Sequence, residues 1–266
     1  MFFIFLSLSF AEVLDYDMGI SVDCGSSQTT LYIYAWNTSF QFPLPAILYK
    51  ASVSQSVRTA YYDSTIVDTV FSQLLKDANN FFVNTPYEMY RNFNHSNIDF
   101  LAYFTGVRNL EPSEQKEVIT RSLKYVQTHS DFNVNESFFQ VITPIQEAIY
   151  TWITVNLITQ KMTSDDTFPV VSMGSSTVSL VATLTGDDQE KFVNNKFEIE
   201  INNNVNKVYC FVFDNFGFDT GIANHTRSLA ANLGRATVES PCYLKDTPNL
   251  QIGQIDVEGE SNMTKC

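Results

Sequence analysis

Two short polar segments of the chain carry groups that could bind phosphate. The first, Asp23-Cys24-Gly25-Ser26-Ser27-Gln28-Thr29, lies between stretches in which apolar and polar residues alternate, which predicts a β-hairpin over 19–34. Small residues let backbone N–H groups approach a phosphate, and hydroxyls add donors. The predicted phosphate-binding residues are Gly25, Ser26, Ser27, Gln28 and Thr29. The Asp23 carboxylate could hold a hydrated divalent cation. The alternative is a polar turn in which Asp23 only satisfies local amide groups.

The second segment, Gly174-Ser175-Ser176-Thr177, also lies between two apolar stretches with strand character. We predict that Gly174, Ser175, Ser176 and Thr177 bind phosphate in the same way. Two such loops in one chain indicate a duplicated architecture with one phosphate clamp in each copy. This plan resembles the actin-like ATPase superfamily, in which two related ribonuclease H-like lobes close on a nucleotide. The predicted fold class is therefore α/β, with a phosphate-binding β-hairpin loop in each of two lobes.

Composition limits the classes of partner. The chain has 266 residues, of which 44% are hydrophobic, enough for two modest lobes or one large domain. Its formal net charge of −13 argues against nucleic acid as a partner, because no basic stripe is present to replace counterions. An acidic chain that binds nucleotide phosphates must do so locally, through amide groups, hydroxyls and a divalent metal ion.

The N-terminus indicates export. Residues 1–11, MFFIFLSLSFA, form an apolar run with a small-x-small ending, which predicts a short signal peptide, with a buried N-terminal strand as the alternative. Glycosylation sequons begin at Asn37, Asn94, Asn135, Asn224 and Asn262. No other segment reaches the length of a transmembrane helix, about 18 apolar residues, so no membrane anchor is predicted. We expect a secreted or lumenal protein of the secretory pathway.

The four cysteines divide into two kinds. Cys24 and Cys210 lie in apolar surroundings, which predicts buried free thiols. Cys242 and Cys266 lie in the C-terminal region and could form a disulfide in an oxidising compartment. No spacing of cysteines and histidines indicates a zinc site.

Hydrophobic periodicity predicts the remaining elements. We expect a first lobe over 12–141 and a second over 142–266. Helices are predicted over 64–82, 112–128 and 219–233, and strands over 99–105, 138–142, 196–201 and 207–213. Two regions are predicted as loops, 37–51 because of Pro43 and Pro45, and 239–266 because of Pro241 and Pro248.

A further helix is predicted from Pro144 to Ile158, where Thr143 and Gln146 match a capping box. The helix is apolar almost all round, so we expect it to be buried between layers. Glu147 is its one acidic residue, near its start. Glu147 could simply complement the helix dipole, or it could be an ionised carboxylate directed into a cleft.

Together these features resemble the apyrase family, the nucleoside triphosphate diphosphohydrolases. Residues 23–34 closely match the first motif of the family, and residues 103–110 match the second at Gly106, Arg108 and Leu110. Residues 145–156 align with the third motif, which contains Trp152 and places Glu147 where the family has the base that activates water. The resemblance thus implies Glu147 as catalytic base, Asp23 as metal-binding residue, and Arg108 and Trp152 as further site residues.

The chain departs from the family pattern in its fourth motif, over residues 172–179. Ser172 replaces an Asp that helps to hold the metal, Ser175 replaces a Gly, and Ser179 replaces a Gln that positions water. The segment from Pro241 to Cys266 resembles a family disulfide segment, which supports pairing of Cys242 with Cys266. The family regions that follow this segment have no counterpart here, so the resemblance implies a partial second lobe.

The expected activity is hydrolysis of nucleoside tri- or diphosphates (ATP, ADP or other nucleotides). Ca²⁺ or Mg²⁺ would bridge phosphate oxygens, and Glu147 would take the proton of the attacking water. A degenerate, catalytically weak or inactive secreted glycoprotein is the alternative, favoured by Ser172. A sugar-kinase-like ATPase is a third, less favoured hypothesis, because such kinases are mostly cytosolic.

Overall fold

The structure is a computed structural model that describes residues 16–39, 45–162, 166–174, 176–184, 186, 192–201, 204–234, 236–245, 250–262 and 264–265. The predicted signal peptide, Ser175 and Cys266 lie outside these described residues. The chain divides into two units, unit 1 (residues 1–143) and unit 2 (residues 144–266).

Unit 1 contains a five-stranded mixed sheet. The strands are β1 (Tyr16–Cys24), β2 (Thr29–Asn37), β3 (Ala46–Val53), β4 (Asp99–Tyr103) and β5 (Phe139–Gln140). Their order is β3-β2-β1-β4-β5; β1, β2 and β3 pair antiparallel, whereas β4 and β5 continue the sheet in parallel. Parallel pairing requires long connections, and these carry α1 (Thr65–Asn84), α2 (Glu88–Arg91) and α3 (Pro112–His129).

The alternating apolar residues of β1 and β2 form part of the core of unit 1, as predicted. Ile20 and Val22 are fully buried and lie opposite Ile33 and Leu31, which are also fully buried. α1 contributes an apolar stripe and packs on β2, β3 and α3. α3 begins at Pro112, with a capping box formed by Glu111 and Glu114. One face of the hairpin is thus locked into a core, which fixes its register.

Unit 2 contains two sheets, an antiparallel sheet of four strands and a mixed sheet of three. α4 (Pro144–Ile158) packs on a four-stranded sheet of order β6-β7-β9-β8, made of β6 (Val170–Met173), β7 (Thr177–Thr183), β8 (Lys196–Ile201) and β9 (Asn204–Asp214). α5 (Phe218–Leu233) follows and packs on β10 (Thr237–Ser240) and β12 (Ile255–Gly259), which form a small sheet with β11 (Leu250–Ile252).

Two regions predicted as loops contain strands. In 37–51, residues from Ala46 onward form β3, an edge strand paired with β2; Pro43 and Pro45 precede the strand instead of preventing it. In 239–266, β11 and β12 form a small sheet with β10, which begins just before this region, and the sheet buries Val238 and Val257 against α5. Strands this short offer too few alternating positions for periodicity to reveal them.

The prediction that α4 is buried on all sides is wrong. Its buried residues are Ala148, Trp152 and Asn156, one stripe that faces the sheet, while Tyr150 and Ile158 are exposed. The other predicted helices and strands are present, with ends shifted by a few residues, and the α/β fold class is confirmed. Within the described residues, no helix combines the length and apolarity needed to cross a membrane.

Candidate active site

Loop 1 (residues 25–28) joins β1 to β2 and is closed by one backbone hydrogen bond. The Gly25 N–H donates to the Gln28 carbonyl at 3.0 Å. Ser26, Ser27 and Gln28 are exposed, and within the described part of the chain their backbone N–H groups have no hydrogen-bond partner. Adjacent amide groups without a protein partner can bind an anion.

Two backbone carbonyl groups, one just before loop 1 and one within it, accept hydrogen bonds from residues outside the loop. The Gly106 N–H donates to the Cys24 carbonyl at 2.9 Å, and the Ser56 hydroxyl donates to the Gly25 carbonyl at 2.6 Å. The Thr105 hydroxyl also lies 3.4 Å from the Cys24 carbonyl. The C=O of one residue and the N–H of the next share a planar peptide group, so holding these carbonyls fixes the direction of the Gly25 and Ser26 amides.

Gly106 lies directly against loop 1. A Cβ atom added to Gly106 would come closer than 3.0 Å to the Gly25 carbonyl and to the Ser26 nitrogen. A side chain of any size there would displace the loop, so this close approach explains why the position is glycine.

Asp23 and Thr29 flank loop 1 and have different environments. Asp23 is exposed at the end of β1 and accepts a hydrogen bond from the Thr105 hydroxyl at 3.3 Å. Thr29 is fully buried, and its hydroxyl donates to the Gln55 carbonyl at 2.9 Å. The Thr29 side chain therefore anchors the start of β2, whereas the Asp23 side chain lies at the protein surface.

The chemistry of Asp23 suits a weakly held, hydrated cation. The described residues contain no cluster of three or more His, Cys, Asp or Glu side chains that could enclose a metal ion. Mg²⁺ in particular retains several waters and is commonly held by one or two carboxylates together with substrate phosphates. Asp23 beside loop 1 fits that donor set.

Loop 2 (residues 174–177) repeats the closing hydrogen bond of loop 1. The Gly174 N–H donates to the Thr177 carbonyl at 2.9 Å, between β6 and β7. Ser176 is exposed, and Ser175 lies outside the described residues. Two positions before Gly174, Ser172 pairs with Ser179 across the hairpin, as Asp23 pairs with Thr30 around loop 1.

The start of α5 contacts loop 2, which the sequence alone did not reveal. The Phe218 N–H donates to the Gly174 carbonyl at 2.9 Å, and the Thr220 hydroxyl donates to the Ser176 carbonyl at 3.1 Å. A Cβ atom on Gly217 would come closer than 3.0 Å to backbone atoms of Ser176 and Thr177. A glycine before a helix is common, so no sequence signal distinguishes this one.

The remaining predicted site residues lie on different elements. Glu147 is half-buried in the first turn of α4 in unit 2, where a helix N-terminus favours negative charge. Arg108 follows β4 in unit 1, and its Nε donates to the Ile142 carbonyl at 2.6 Å. Trp152 is fully buried in the core between α4 and the sheet. Thus the structure places loop 1, Asp23 and Arg108 in unit 1, and Glu147, Trp152 and loop 2 in unit 2.

The cysteines fall into the two predicted kinds. Cys24 and Cys210 are buried free thiols. Burial, together with the negative charge of Asp23, raises the pKa of the Cys24 thiol well above its ordinary value. Cys242 is disulfide-bonded. Its predicted partner Cys266 lies outside the described residues, so this pairing stays a prediction.

The chain matches the GDA1/CD39 (nucleoside phosphatase) family over residues 12–266, and it therefore belongs to that family. Membership of the apyrase family, which the motifs predicted, is thereby confirmed.

Two curated relatives agree with this assignment. Nucleoside-triphosphatase ntp-1 of Caenorhabditis elegans is 25% identical over 177 residues, 63% of this chain and 32% of the relative. Ectonucleoside triphosphate diphosphohydrolase 4 of Homo sapiens is 24% identical over 144 residues, 53% of this chain and 23% of the relative. The matched segments thus cover a third or less of each relative.

Solved structures of similar fold include a Ppx/GppA family member from Aquifex aeolicus and an exopolyphosphatase from Cytophaga hutchinsonii. The first has a TM-score of 0.44 and 14% identity, and the match covers 85% of this chain and 64% of that protein. The second has a TM-score of 0.43 and 13% identity, with coverage of 84% and 67%.

Proposed function

We propose that this protein hydrolyses nucleoside tri- or diphosphates, with water as the acceptor of the phosphoryl group. The observation that carries the proposal is loop 1, where three exposed residues with amide groups that have no partner in the described structure follow Asp23 closely in the chain. Membership of a nucleoside phosphatase family supports the same substrate class.

Phosphate binding in this proposal is local. The chain carries a net charge of −13, so long-range attraction does not bring a polyanion to the site. The amides of Ser26, Ser27 and Gln28 would donate to the oxygens of one phosphate, and loop 2 would hold another through Ser176 and its neighbours. Hydrogen bonds from fixed amides to an anionic oxygen are stronger than those between neutral groups.

Asp23 would hold a hydrated Ca²⁺ or Mg²⁺ ion. When bound, the ion would neutralise charge on the phosphate oxygens. The Thr105 hydroxyl donates to the Asp23 carboxylate at 3.3 Å and so restrains its orientation.

Glu147 would act as the general base. Its carboxylate would take one proton from the attacking water, whose oxygen forms the new bond to phosphorus while the bond from phosphorus to the leaving nucleotide oxygen breaks. The products are inorganic phosphate and the shortened nucleotide, and no covalent phosphoenzyme is required.

A non-catalytic glycoprotein is the second candidate function. The pairing of Ser172 with Ser179 favours it, because two hydroxyls occupy the register positions where the family pattern has a metal-binding Asp and a water-positioning Gln. Loop 2 would then lack a carboxylate comparable to Asp23.

We also propose that the protein enters the secretory pathway. The disulfide at Cys242 supports an oxidising compartment, and three of the predicted sequon asparagines, Asn94, Asn135 and Asn224, are exposed. Expression in a secreting eukaryotic cell, with and without removal of N-linked glycans, tests this point. A protein retained in the cytosol without glycans would contradict it.

The test of the hydrolase is phosphate release from ATP and ADP by purified protein with Ca²⁺, with Mg²⁺ and with a chelator. Glu147→Gln should reduce the rate by about 10²-fold or more, the usual contribution of a general base. Glu88→Gln is the matched control, because Glu88 is also a first-turn acid, on α2, and is exposed. Well-folded wild-type protein that releases no phosphate with either metal would favour the non-catalytic candidate.

A further inference from the structure

We propose that Gly217 and Thr220, at the start of α5, are positioning residues of loop 2, equivalent to Gly106 and Thr105 at loop 1. The inference rests on the proposed function, because it assigns a role in phosphate binding by loop 2. It goes beyond the motifs of the sequence, since neither residue lies in a segment with a predicted role.

The two loops are supported in the same way. Each has a glycine N–H that donates to the carbonyl three residues on, Gly25 to Gln28 and Gly174 to Thr177. A glycine from a distant segment lies against the backbone of each loop, Gly106 at loop 1 and Gly217 at loop 2. A threonine hydroxyl of the same segment donates to a backbone carbonyl, that of Cys24 just before loop 1 and that of Ser176 within loop 2. The supporting segments come from different elements, the turn after β4 and the N-terminus of α5.

Ordinary helix capping does not explain Gly217. Its backbone is extended, with φ −64° and ψ 169°, a conformation that any residue adopts, and it provides no side-chain cap. The feature that requires glycine is the approach of its Cα to the backbone of Ser176 and Thr177.

Gly221 provides an internal comparison. It lies one turn further along the same helix, and a Cβ atom there would meet its nearest neighbour, the Phe216 carbonyl, at 3.6 Å, an ordinary contact. Alanine also has a higher helix propensity than glycine. Loop 2 therefore requires a glycine at Gly217, just before α5, whereas it does not require one at Gly221 within the helix.

These contacts set the direction of the loop 2 peptide groups. Phe218 and Thr220 hold the carbonyls of Gly174 and Ser176, so the peptide groups that begin at those carbonyls cannot rotate freely. The Thr177 amide, which shares a peptide group with the Ser176 carbonyl, is held as a result before any ligand binds. Preorganised donors of this kind contribute to catalysis because they need no reorientation during the reaction.

The experiment compares four variants with wild type: Gly217→Ala, Gly221→Ala, Thr220→Val and Thr220→Ser. The measurements are kcat and KM for ATP and ADP, and hydrogen exchange at the Ser176 and Thr177 amides. Gly217→Ala should lower kcat/KM by about 10²-fold, as expected for a displacement of about 1 Å at a reacting group. Gly221→Ala should remain within about twofold of wild type, since surface changes have small effects.

Thr220→Val should lower kcat/KM by about tenfold, because it removes one hydrogen bond with little change of shape. Thr220→Ser keeps the hydroxyl and should restore most of the loss. The comparison of Thr220→Val with Thr220→Ser tests the positioning role even if Gly217→Ala fails to fold. Exchange at Ser176 and Thr177 should rise in Gly217→Ala and in Thr220→Val, and in neither control.

Equal activity and equal exchange in Gly217→Ala and Gly221→Ala would overturn the proposal, as would equal loss in Thr220→Val and Thr220→Ser. A folded wild-type protein without hydrolysis would instead contradict the proposed function. In that case hydrogen exchange alone tests the positioning role. Faster exchange in Gly217→Ala and Thr220→Val than in their controls would support the role, and equal exchange would refute it.

Discussion

Ser172 and Ser179 face each other across the β6–β7 hairpin, in the register positions that Asp23 and Thr30 occupy across β1–β2. Both hairpins close with the same hydrogen bond, from the glycine two residues after the first member of the pair. The hairpins therefore share a geometry but differ in charge, because the second has hydroxyls where the first has a carboxylate.

Ser172→Asp should increase the affinity of the protein for a divalent cation. Ser172 is half-buried and, by strand alternation, lies on the same face as Val170, which packs against α4. A carboxylate there would add an oxygen donor for a cation beside loop 2, and an interaction worth about 1.4 kcal/mol lowers the half-saturating metal concentration about tenfold. A titration of phosphate release with Ca²⁺ measures this half-saturating concentration.

Val171→Asp is the control for that substitution, because it adds the same charge one residue away, at a position that is 70% exposed on the opposite face. An equal shift in both variants would mean that general charge, and not a specific site, attracts the ion.

Gly106→Ala should destabilise unit 1 by about 1–3 kcal/mol, the usual cost of an atom forced into a packed region. Gly174→Ala should leave stability within about 0.5 kcal/mol of wild type, since its added Cβ would lie 3.7 Å from the nearest atom, the Thr177 carbonyl oxygen. Urea unfolding of both variants measures the difference. Equal midpoints would show that loop 1 adapts to the added methyl group.

Stability should fall in alkaline solution because of Cys24. Burial and the negative charge of Asp23 raise the pKa of its thiol in the folded protein well above its ordinary value, so the folded state holds the proton more tightly than the unfolded state. The resulting stabilisation is present below the unfolded pKa and is lost as pH rises toward the folded pKa.

Urea unfolding of wild type and Cys24→Ala at about pH 8 and about pH 10 measures this effect. The wild-type protein should lose more stability than the variant between the two pH values. The same loss in both proteins would assign the alkaline effect to other groups, such as Tyr34, whose pKa burial also raises.

Cys242→Ser should lower stability by about 3 kcal/mol if the disulfide closes a loop of about 25 residues. Cys210→Ser is the control, since Cys210 is a free thiol in the core of unit 2. Peptide mapping of unreduced protein identifies the partner. A bond from Cys242 to anything other than Cys266 would refute the predicted pairing.

The sequence predicted the elements whose patterns are long. α1, α3 and the β1–β2 hairpin each repeat their apolar period over several turns or pairs, so local pattern and tertiary packing agree. β3 was missed because prolines precede an exposed edge strand that has few buried positions. β10, β11 and β12 were missed because each has at most five residues.

The sequence also predicted only the part of the candidate site whose residues are close together in the chain. Loop 1 and loop 2 carry their chemistry in consecutive residues, which a sequence motif can express. The supports of loop 2 are not consecutive with it, since Gly217 and Thr220 lie beyond β7, β8 and β9. Only the approach of two backbones in the folded chain reveals why Gly217 has no side chain.

The supports of loop 1 have a consequence for the order of folding. The Cys24 carbonyl accepts from Gly106, which follows β4, and β4 reaches β1 only through a parallel pairing across a long connection. The β1–β2 hairpin can close early from local contacts, but its turn acquires its final shape only after that distant strand has docked. Nascent chains would thus contain the loop sequence well before they contain a surface able to hold an anion.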